Sequence, residues 1–183
     1  MRKLLFQSLI RVPLTERLPA LDDAETADLA AKLDAAAQRR LGRSLAIRQV
    51  DAGSCNGCEL EIHALNNAFY DLERVGVRIV ASPRHADVLF VTGPVTKNMR
   101  EALLRTYDAT PAPKWVVAVG DCAIDGGMFA GSYAVAGGLA TVLPVDMHIR
   151  GCPPNPRDLL RGLLYLMQTS VETTELGLAR RGY

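Results

Sequence analysis

The sequence predicts an α/β fold in which a parallel sheet is covered by helices on both faces. Short apolar runs alternate with amphipathic stretches between residues 44 and 168, which is typical of strands joined by helical crossovers. The runs are apolar almost without interruption, as expected for strands that are buried on both sides. With 183 residues and 49% apolar content, the chain can form one sizeable core.

The first predicted element is a helix from Asp23 to Arg40. Acidic residues lie in its first turn, and Arg39 and Arg40 end it, so the charges suit the helix dipole. This helix belongs to a predicted N-terminal extension, residues 1–43, whose first residues combine apolar and basic side chains. We expect that extension to dock onto a membrane arm or a partner subunit.

Five strands are predicted within residues 44–168, the main α/β domain. Each is a run of mainly valine, leucine, isoleucine or alanine, residue types that suit a buried sheet. The runs cover residues 45–50, 77–80, 87–91, 114–119 and a part of 141–149. Residues 169–183 are expected to form a polar C-terminal tail.

Three helices are predicted to alternate with these strands. The first spans residues 59–72, with Ile62, Leu65 and Phe69 facing the core. The second spans residues 97–108. The third starts after Asn155, an N-cap residue that is followed by proline at the first helical position.

Composition excludes several classes of function. The net charge is +1 and aromatic residues make up only 5% of the chain, so neither a basic patch nor a base-stacking surface for nucleic acid is expected. No run reaches the roughly 20 apolar residues that span a bilayer, and the N-terminus does not match a secretory signal. We therefore expect a cytosolic chain with reduced thiols.

The cysteines are the principal candidate site. They follow three different predicted strand ends, and the carboxyl ends of parallel strands meet at one edge of a sheet. These residues are Cys55, Cys58, Cys122 and Cys152. The neighbouring Gly57, Gly120 and Gly151 let backbone N–H groups approach sulfur closely. Four thiolates complete the ligand shell of one metal centre.

Three chemistries compete for these thiols. Structural zinc uses four cysteines, although usually as two close pairs. Disulfides require an exported chain. A 4Fe–4S cubane also takes four cysteines, and Cys58 at the start of a predicted helix favours it, because a helix N-terminus lowers a thiol pKa.

Four sequence blocks resemble the family that nickel–iron hydrogenase small subunits share with the corresponding cluster-bearing subunit of respiratory complex I. The resemblance runs from about Val50 to Met167. The blocks are residues 53–61, residues 82–89 together with Gly93 and Thr96, residues 120–129 and residues 151–156. The resemblance is consistent with a flavodoxin-like α/β domain, in which the cysteine loop takes the place of a phosphate-binding loop.

The spacing Cys55-x-x-Cys58 is similar to the hydrogenase form, whereas the complex I proteins carry adjacent cysteines there. In this spacing the sequence resembles the small subunit of the membrane-bound, energy-converting hydrogenases of the formate hydrogenlyase type. The resemblance implies that the four cysteines bind one 4Fe–4S cluster near a nickel–iron site held by a separate large subunit. A ferredoxin-like iron–sulfur subunit and integral membrane subunits are the other implied partners, at the cytoplasmic face of the inner membrane.

By this resemblance the chain is an electron-transfer subunit of an oxidoreductase and contains no catalytic residues of its own. Two alternatives stay open: the equivalent cluster-bearing subunit of a complex I-like quinone reductase, and a zinc-stabilised assembly module without redox activity. Glu59 and Glu61 are candidates for a proton path, or simply helix-terminal charges. Arg84 is a candidate neighbour of the cluster, or a solvated loop residue.

Overall fold

The computed structural model describes residues 23–179, and its elements follow the predicted α/β order. Seven strands and five α-helices lie in this part of the chain. In chain order they are α1 (Asp23–Leu41), β1 (Leu45–Asp51), α2 (Gly57–Ala64), β2 (Val77–Ile79), β3 (Val88–Thr92), β4 (Val95–Thr96), α3 (Lys97–Ala109), β5 (Trp115–Val119), α4 (Asp121–Asp125), β6 (Val135–Gly137), β7 (Met147–Ile149) and α5 (Pro156–Ala179).

Five of the strands form the predicted parallel sheet, in the order β2-β1-β3-β5-β7. At one level of the sheet Ile47 lies between Ile79 and Val88. At the carboxyl ends, Thr92 lies between Asp51 and Val119. The short strands β4 and β6 pair separately and antiparallel. The α/β class and the flavodoxin-like arrangement are therefore confirmed.

One face of the sheet is covered by α1, α2 and α5. Leu33 of α1, Phe90 of β3 and Leu163 of α5 belong to the same buried cluster. The guanidinium of Arg40 in α1 lies 4.3 Å from the ring centroid of Trp115, which is a cation–π distance. Residues 23–41 of the predicted extension are thus part of the core; residues 1–22 lie outside the described residues.

The opposite face is covered mainly by α3, whose Leu103 packs into a second buried cluster with Leu89 and Val116. The link between β2 and β3, residues 80–87, contains a short 3-10 turn over Pro83–His85 and no α-helix. This turn packs against α3. Among the described residues, the part of this opposite face near β1 and β2 is therefore covered by fewer elements than the face packed against α1.

A partly buried ion pair joins the start of β1 to the start of β3. The guanidinium of Arg43 donates to both carboxylate oxygens of Asp87, at 2.9 and 2.6 Å. Asp87 also accepts from the backbone N–H of Ala46 at 2.9 Å. Because Asp87 is only 6% exposed, these three bonds satisfy a carboxylate that water reaches poorly.

The helix predicted over residues 59–72 is shorter than expected and ends at Ala64. The side-chain oxygen of Asn67 accepts hydrogen bonds from the N–H groups of Phe69 and Tyr70, at 2.9 and 3.0 Å. Such an Asx turn competes with helical hydrogen bonding. Phe69, predicted to face the core, is 38% exposed.

The last helix begins as predicted and continues further than expected. The side chain of Asn155 accepts from the N–H of Asp158 at 3.0 Å, which is the N-cap bond. Helix α5 then extends through Ala179, into the segment predicted as a tail. In the described part of the chain, no helix is long and apolar enough to cross a bilayer.

Candidate metal centre

The four cysteines converge on one cavity at the carboxyl edge of the sheet, as their positions after the strands predict. The cavity has a volume of about 70 Å³ and is lined by all four, together with Ser54, Gly57, Gly93, Asp121, Gly151 and Pro153. Cys58 and Cys122 are half-buried, whereas Cys55 and Cys152 are exposed. Within residues 23–179, no group of three or more His, Cys, Asp or Glu side chains is arranged to hold a metal ion.

The loop that carries Cys55 and Cys58 is fixed by the last residue of β1. The carboxylate of Asp51 accepts from the N–H groups of Gly53 and Ser54, both at 2.7 Å. This Asx turn reverses the chain directly after the strand. It therefore places the Cys-x-x-Cys segment at the sheet edge before α2 begins.

The loops that carry Cys122 and Cys152 are bonded to each other. The N–H of Asp121 donates to the carbonyl of Gly151 at 2.9 Å, and the N–H of Gly151 donates to the Asp121 carboxylate at 3.2 Å. The N–H of Gly120 donates to the carbonyl of Ile149 at 2.8 Å. These bonds extend the pairing of β5 and β7 past the strand ends and hold the two loops side by side.

Two glycines leave room for the sulfur atoms. A Cβ atom on Gly120 would lie 2.6 Å from Sγ of Cys58, and one on Gly127 would lie 2.8 Å from Sγ of Cys122. Both glycines have positive φ, +86° and +50°, which side-chain-bearing residues rarely adopt. The chain therefore requires glycine here for backbone conformation and for sulfur packing.

The environment keeps the free thiol of Cys58 protonated. Burial raises its pKa to about 12, and the negative charges of Glu59 and of the other three cysteines act in the same direction. The prediction that the helix N-terminus lowers this pKa is therefore wrong for the free site, because burial and neighbouring charges outweigh the helix. Metal binding has to release this proton.

The thiol of Cys122 receives a backbone hydrogen bond. Burial raises its pKa, as does the nearby Cys152, but the N–H of Met128 donates to the sulfur and opposes the rise. Such N–H groups favour the thiolate and tune a bound metal centre. The donor is Met128, which follows Gly127, and not one of the three glycines named from the sequence, Gly57, Gly120 and Gly151.

The remaining candidate residues occupy different places. Glu59 is buried at 5% exposure, and neither carboxylate oxygen has a hydrogen-bond partner among the described residues. Glu61 is half-buried on the same helix. Arg84 is exposed in the turn between β2 and β3 and is not among the cavity-lining residues.

Sequence reasoning missed Asp51 and Asp121 as supports of the site. Each is an aspartate at a strand end whose carboxylate accepts from backbone N–H groups of a cysteine loop. The signal was present for Asp51, because Asp-x-Gly after an apolar run is typical of an Asx turn. The contact of Asp121 with Gly151 joins distant segments, and no local pattern predicts it.

Known proteins share this fold and a large part of this sequence. The family model described as NADH ubiquinone oxidoreductase, 20 kDa subunit, matches residues 55–166, a range that contains all four cysteines. A solved chain of the membrane-bound sulfane sulfur reductase, an archaeal respiratory membrane complex, superposes with a TM-score of 0.61 and 32% identity. The match covers 81% of this chain and 75% of that chain.

Several named relatives share similar levels of identity. Formate hydrogenlyase subunit 7 of Escherichia coli is 44% identical over 132 residues, 72% of this chain and 52% of that protein. The probable membrane-bound hydrogenase subunit mbhJ of Pyrococcus furiosus is 44% identical over 128 residues, 70% of this chain and 77% of the relative.

A third relative comes from the quinone reductases. An NADH-quinone oxidoreductase subunit of Clostridium beijerinckii is 45% identical over 121 residues, 66% of this chain and 72% of that protein. The match to formate hydrogenlyase subunit 7 spans only about half of that relative's length. The family model covers more than half of the present chain, and the chain belongs to the family of the 20 kDa subunit of NADH–ubiquinone oxidoreductase.

Proposed function

We propose that this chain holds one 4Fe–4S cluster on Cys55, Cys58, Cys122 and Cys152 and carries electrons within a membrane-bound hydrogenase complex. The observation that carries the proposal is the convergence of all four cysteines on one cavity. Every cysteine of the chain is then used by a single centre. Electrons must therefore enter and leave through partner subunits.

The donor set and the space fit such a cluster. Cys₄ ligation is the usual ligation of a cubane cluster. The cavity, about 70 Å³, is larger than the ~10–15 Å³ that one water needs, so it has room for a group of several atoms. When bound, the cluster supplies reversible one-electron transfer.

The protein's own residues would set the properties of that centre. The N–H of Met128 donates to the Cys122 sulfur and favours its thiolate form. Burial of the Cys58 thiol keeps water away from one side of the site. The more exposed Cys55 and Cys152 lie on the open side, which a partner subunit has to cover.

Exposed apolar side chains lie close in sequence to the cysteines. Leu60, two residues after Cys58, is 61% exposed, and Met128, six residues after Cys122, is 81% exposed. Tyr133 in the following loop is 90% exposed. Exposed apolar groups around a metal site suit a protein interface. We assign the open side of the cavity to the large subunit, with a ferredoxin-like subunit and integral membrane subunits completing a complex at the cytoplasmic side of the membrane.

Anaerobic reconstitution of the full chain with iron and sulfide tests the cluster. We expect about four irons per chain and a broad absorbance near ~400 nm. A serine replacement of Cys122 should lower the iron content by about tenfold or more. A colourless protein with stoichiometric zinc, from the same reconstitution with zinc present, would instead support the zinc-stabilised assembly module.

The second candidate is the equivalent cluster-bearing subunit of a complex I-like quinone reductase. Identity to the quinone reductase relative, 45%, is as high as identity to the hydrogenase relatives, 44%. The spacing Cys55-x-x-Cys58 favours the hydrogenase assignment. The large subunit encoded beside this chain separates the two, because two Cys-x-x-Cys pairs in it would supply a nickel–iron site.

Glu59 and Glu61 are proposed as proton carriers at the large-subunit interface. Glu59 supports this assignment because a buried carboxylate without a hydrogen-bond partner calls for a donor that the described residues do not supply. Replacing either by glutamine in the assembled complex should slow turnover about tenfold or more, with the cluster signal intact. Unaltered turnover in both variants rejects the role.

A further inference from the structure

Four arginines surround the sparsely covered face near β1 and β2. Arg78 pairs in register with Ala46, and Arg48 lies two residues beyond Ala46 on the same strand. Side chains alternate along a strand, so Arg48 and Arg78 share one face of the sheet. Arg84 lies in the turn that links β2 to β3, and Arg100 is in the first turns of α3, which packs against that turn.

None of these four arginines has a hydrogen bond or an ion pair within the described residues, whereas most other described arginines do. Arg78, Arg84 and Arg100 are exposed. Arg48 is half-buried, and its Nε atom is fully buried without an acceptor in this part of the chain. A buried guanidinium N–H without a partner destabilises the free chain. This atom therefore points to an acceptor that the described residues do not supply.

Two carboxylates on the neighbouring elements, Glu101 and Asp87, are already paired. Glu101 of α3 binds Arg105 at 2.9 Å, and Asp87 at the start of β3 binds Arg43. Neither is available to the four unpaired arginines. The face consequently presents uncompensated positive charge on a chain whose net charge is only +1.

A membrane surface does not fit this patch. Basic surfaces that bind lipid also insert apolar side chains, but β1, β2, the Pro83–His85 turn and α3 carry no exposed large apolar side chain among the described residues. Those side chains lie elsewhere, at Leu60, Phe69, Met128, Phe129, Tyr133 and Tyr165. Guanidinium groups suit carboxylates, which they bind in a planar, two-pronged geometry.

We propose that Arg48, Arg78, Arg84 and Arg100 form a docking surface for an acidic peptide segment of another subunit of the complex. The segment supplies at least two carboxylates, one of which accepts from the buried Nε of Arg48. This surface is separate from the cysteine cavity, because none of its residues lines that cavity. It can therefore be tested without reference to the cluster.

Arginine labelling with phenylglyoxal, followed by mass spectrometry, tests the proposal. We expect Arg78, Arg84 and Arg100 to label in the isolated full chain and to label about tenfold more slowly in the assembled, detergent-purified complex. Arg39 of α1 and Arg105 of α3, which are exposed but are not part of the proposed surface, should be protected less. Equal labelling in the two samples overturns the proposal. If the arginines are protected from labelling in membranes but not in the lipid-free complex, lipid is the ligand. That result also overturns the proposal of an acidic peptide.

Two double variants that remove the same charge provide a second test of the proposed surface. Arg78→Gln/Arg100→Gln should weaken binding of the chain to the rest of the complex by about tenfold or more, which is about 1.4 kcal/mol. Arg39→Gln/Arg105→Gln removes the same charge and should change the affinity less than about twofold. If both double variants weaken binding equally, the effect comes from net charge alone. That result contradicts a specific docking surface.

Discussion

Replacing Gly120 by alanine should prevent the four cysteines from holding the proposed 4Fe–4S cluster. The new methyl group would lie 2.6 Å from Sγ of Cys58, closer than van der Waals contact allows. The φ angle of +86° adds strain, about 1–3 kcal/mol for a residue with a side chain. Because the thiol has to move away from the cavity, iron bound per chain after reconstitution should fall by about tenfold or more.

Gly57→Ala is the matched control for this variant. Gly57 also touches a ligand sulfur, but its added Cβ would lie 3.5 Å from Sγ of Cys55, an ordinary contact, and its φ is not in the left-handed region. It begins α2, where alanine is the better helix former. Iron content and thermal stability should stay close to those of the parent protein. If both variants bind iron equally, the packing argument for Gly120 is wrong.

Neutralising Asp87 should cause the largest loss of stability away from the cysteines. In Asp87→Asn the charged pair with Arg43 is lost, and only one of the two acceptor oxygens that Arg43 and Ala46 use remains, because the other becomes an NH₂ donor. Breaking a buried pair is strongly destabilising, although here half of the Arg43 side chain reaches water. We expect a loss of about 2–3 kcal/mol, or roughly 4–12 °C in Tm.

Glu101→Gln is the control variant for the stability loss expected of Asp87→Asn. It removes an arginine-paired carboxylate of the same charge, but the Glu101–Arg105 pair is exposed on both sides, at 66% and 78%. Exposed pairs contribute little because water and salt screen them. Thermal unfolding of this variant should differ from the parent by less than about 0.5 kcal/mol. A similar loss in both variants would show that burial of Asp87 is unimportant.

The sheet and the position of the site could be predicted because both follow from local patterns. Apolar runs such as Trp115–Val119 become central strands, and residues after their carboxyl ends meet at one edge. That rule alone brings Cys122 and Cys152 together although 30 residues separate them in the sequence. The N-cap role of Asn155 could also be predicted, because it depends only on the residues next to it in the sequence.

The features that sequence reasoning missed depend on contacts between distant residues or on competition between local ones. The Asx turn at Asn67 ends α2 early, although the apolar spacing of Ile62, Leu65 and Phe69 continues the helical pattern. The pKa of Cys58 depends on burial under several elements at once. The pairing of Asp121 with Gly151 exists only in the folded sheet.

The packing of α1 against α5 has a consequence for biosynthesis. The first described helix rests on the last one, and Arg40 donates to the carbonyl of Met167. This pairing joins segments 127 positions apart, so the hydrophobic core closes only when nearly the whole described chain has left the ribosome. Contacts of such long range slow folding, and the nascent chain exposes apolar surface in the meantime. All four cysteines are synthesised before that closure, which leaves an interval in which their thiols are accessible to the proteins that would deliver the proposed cluster.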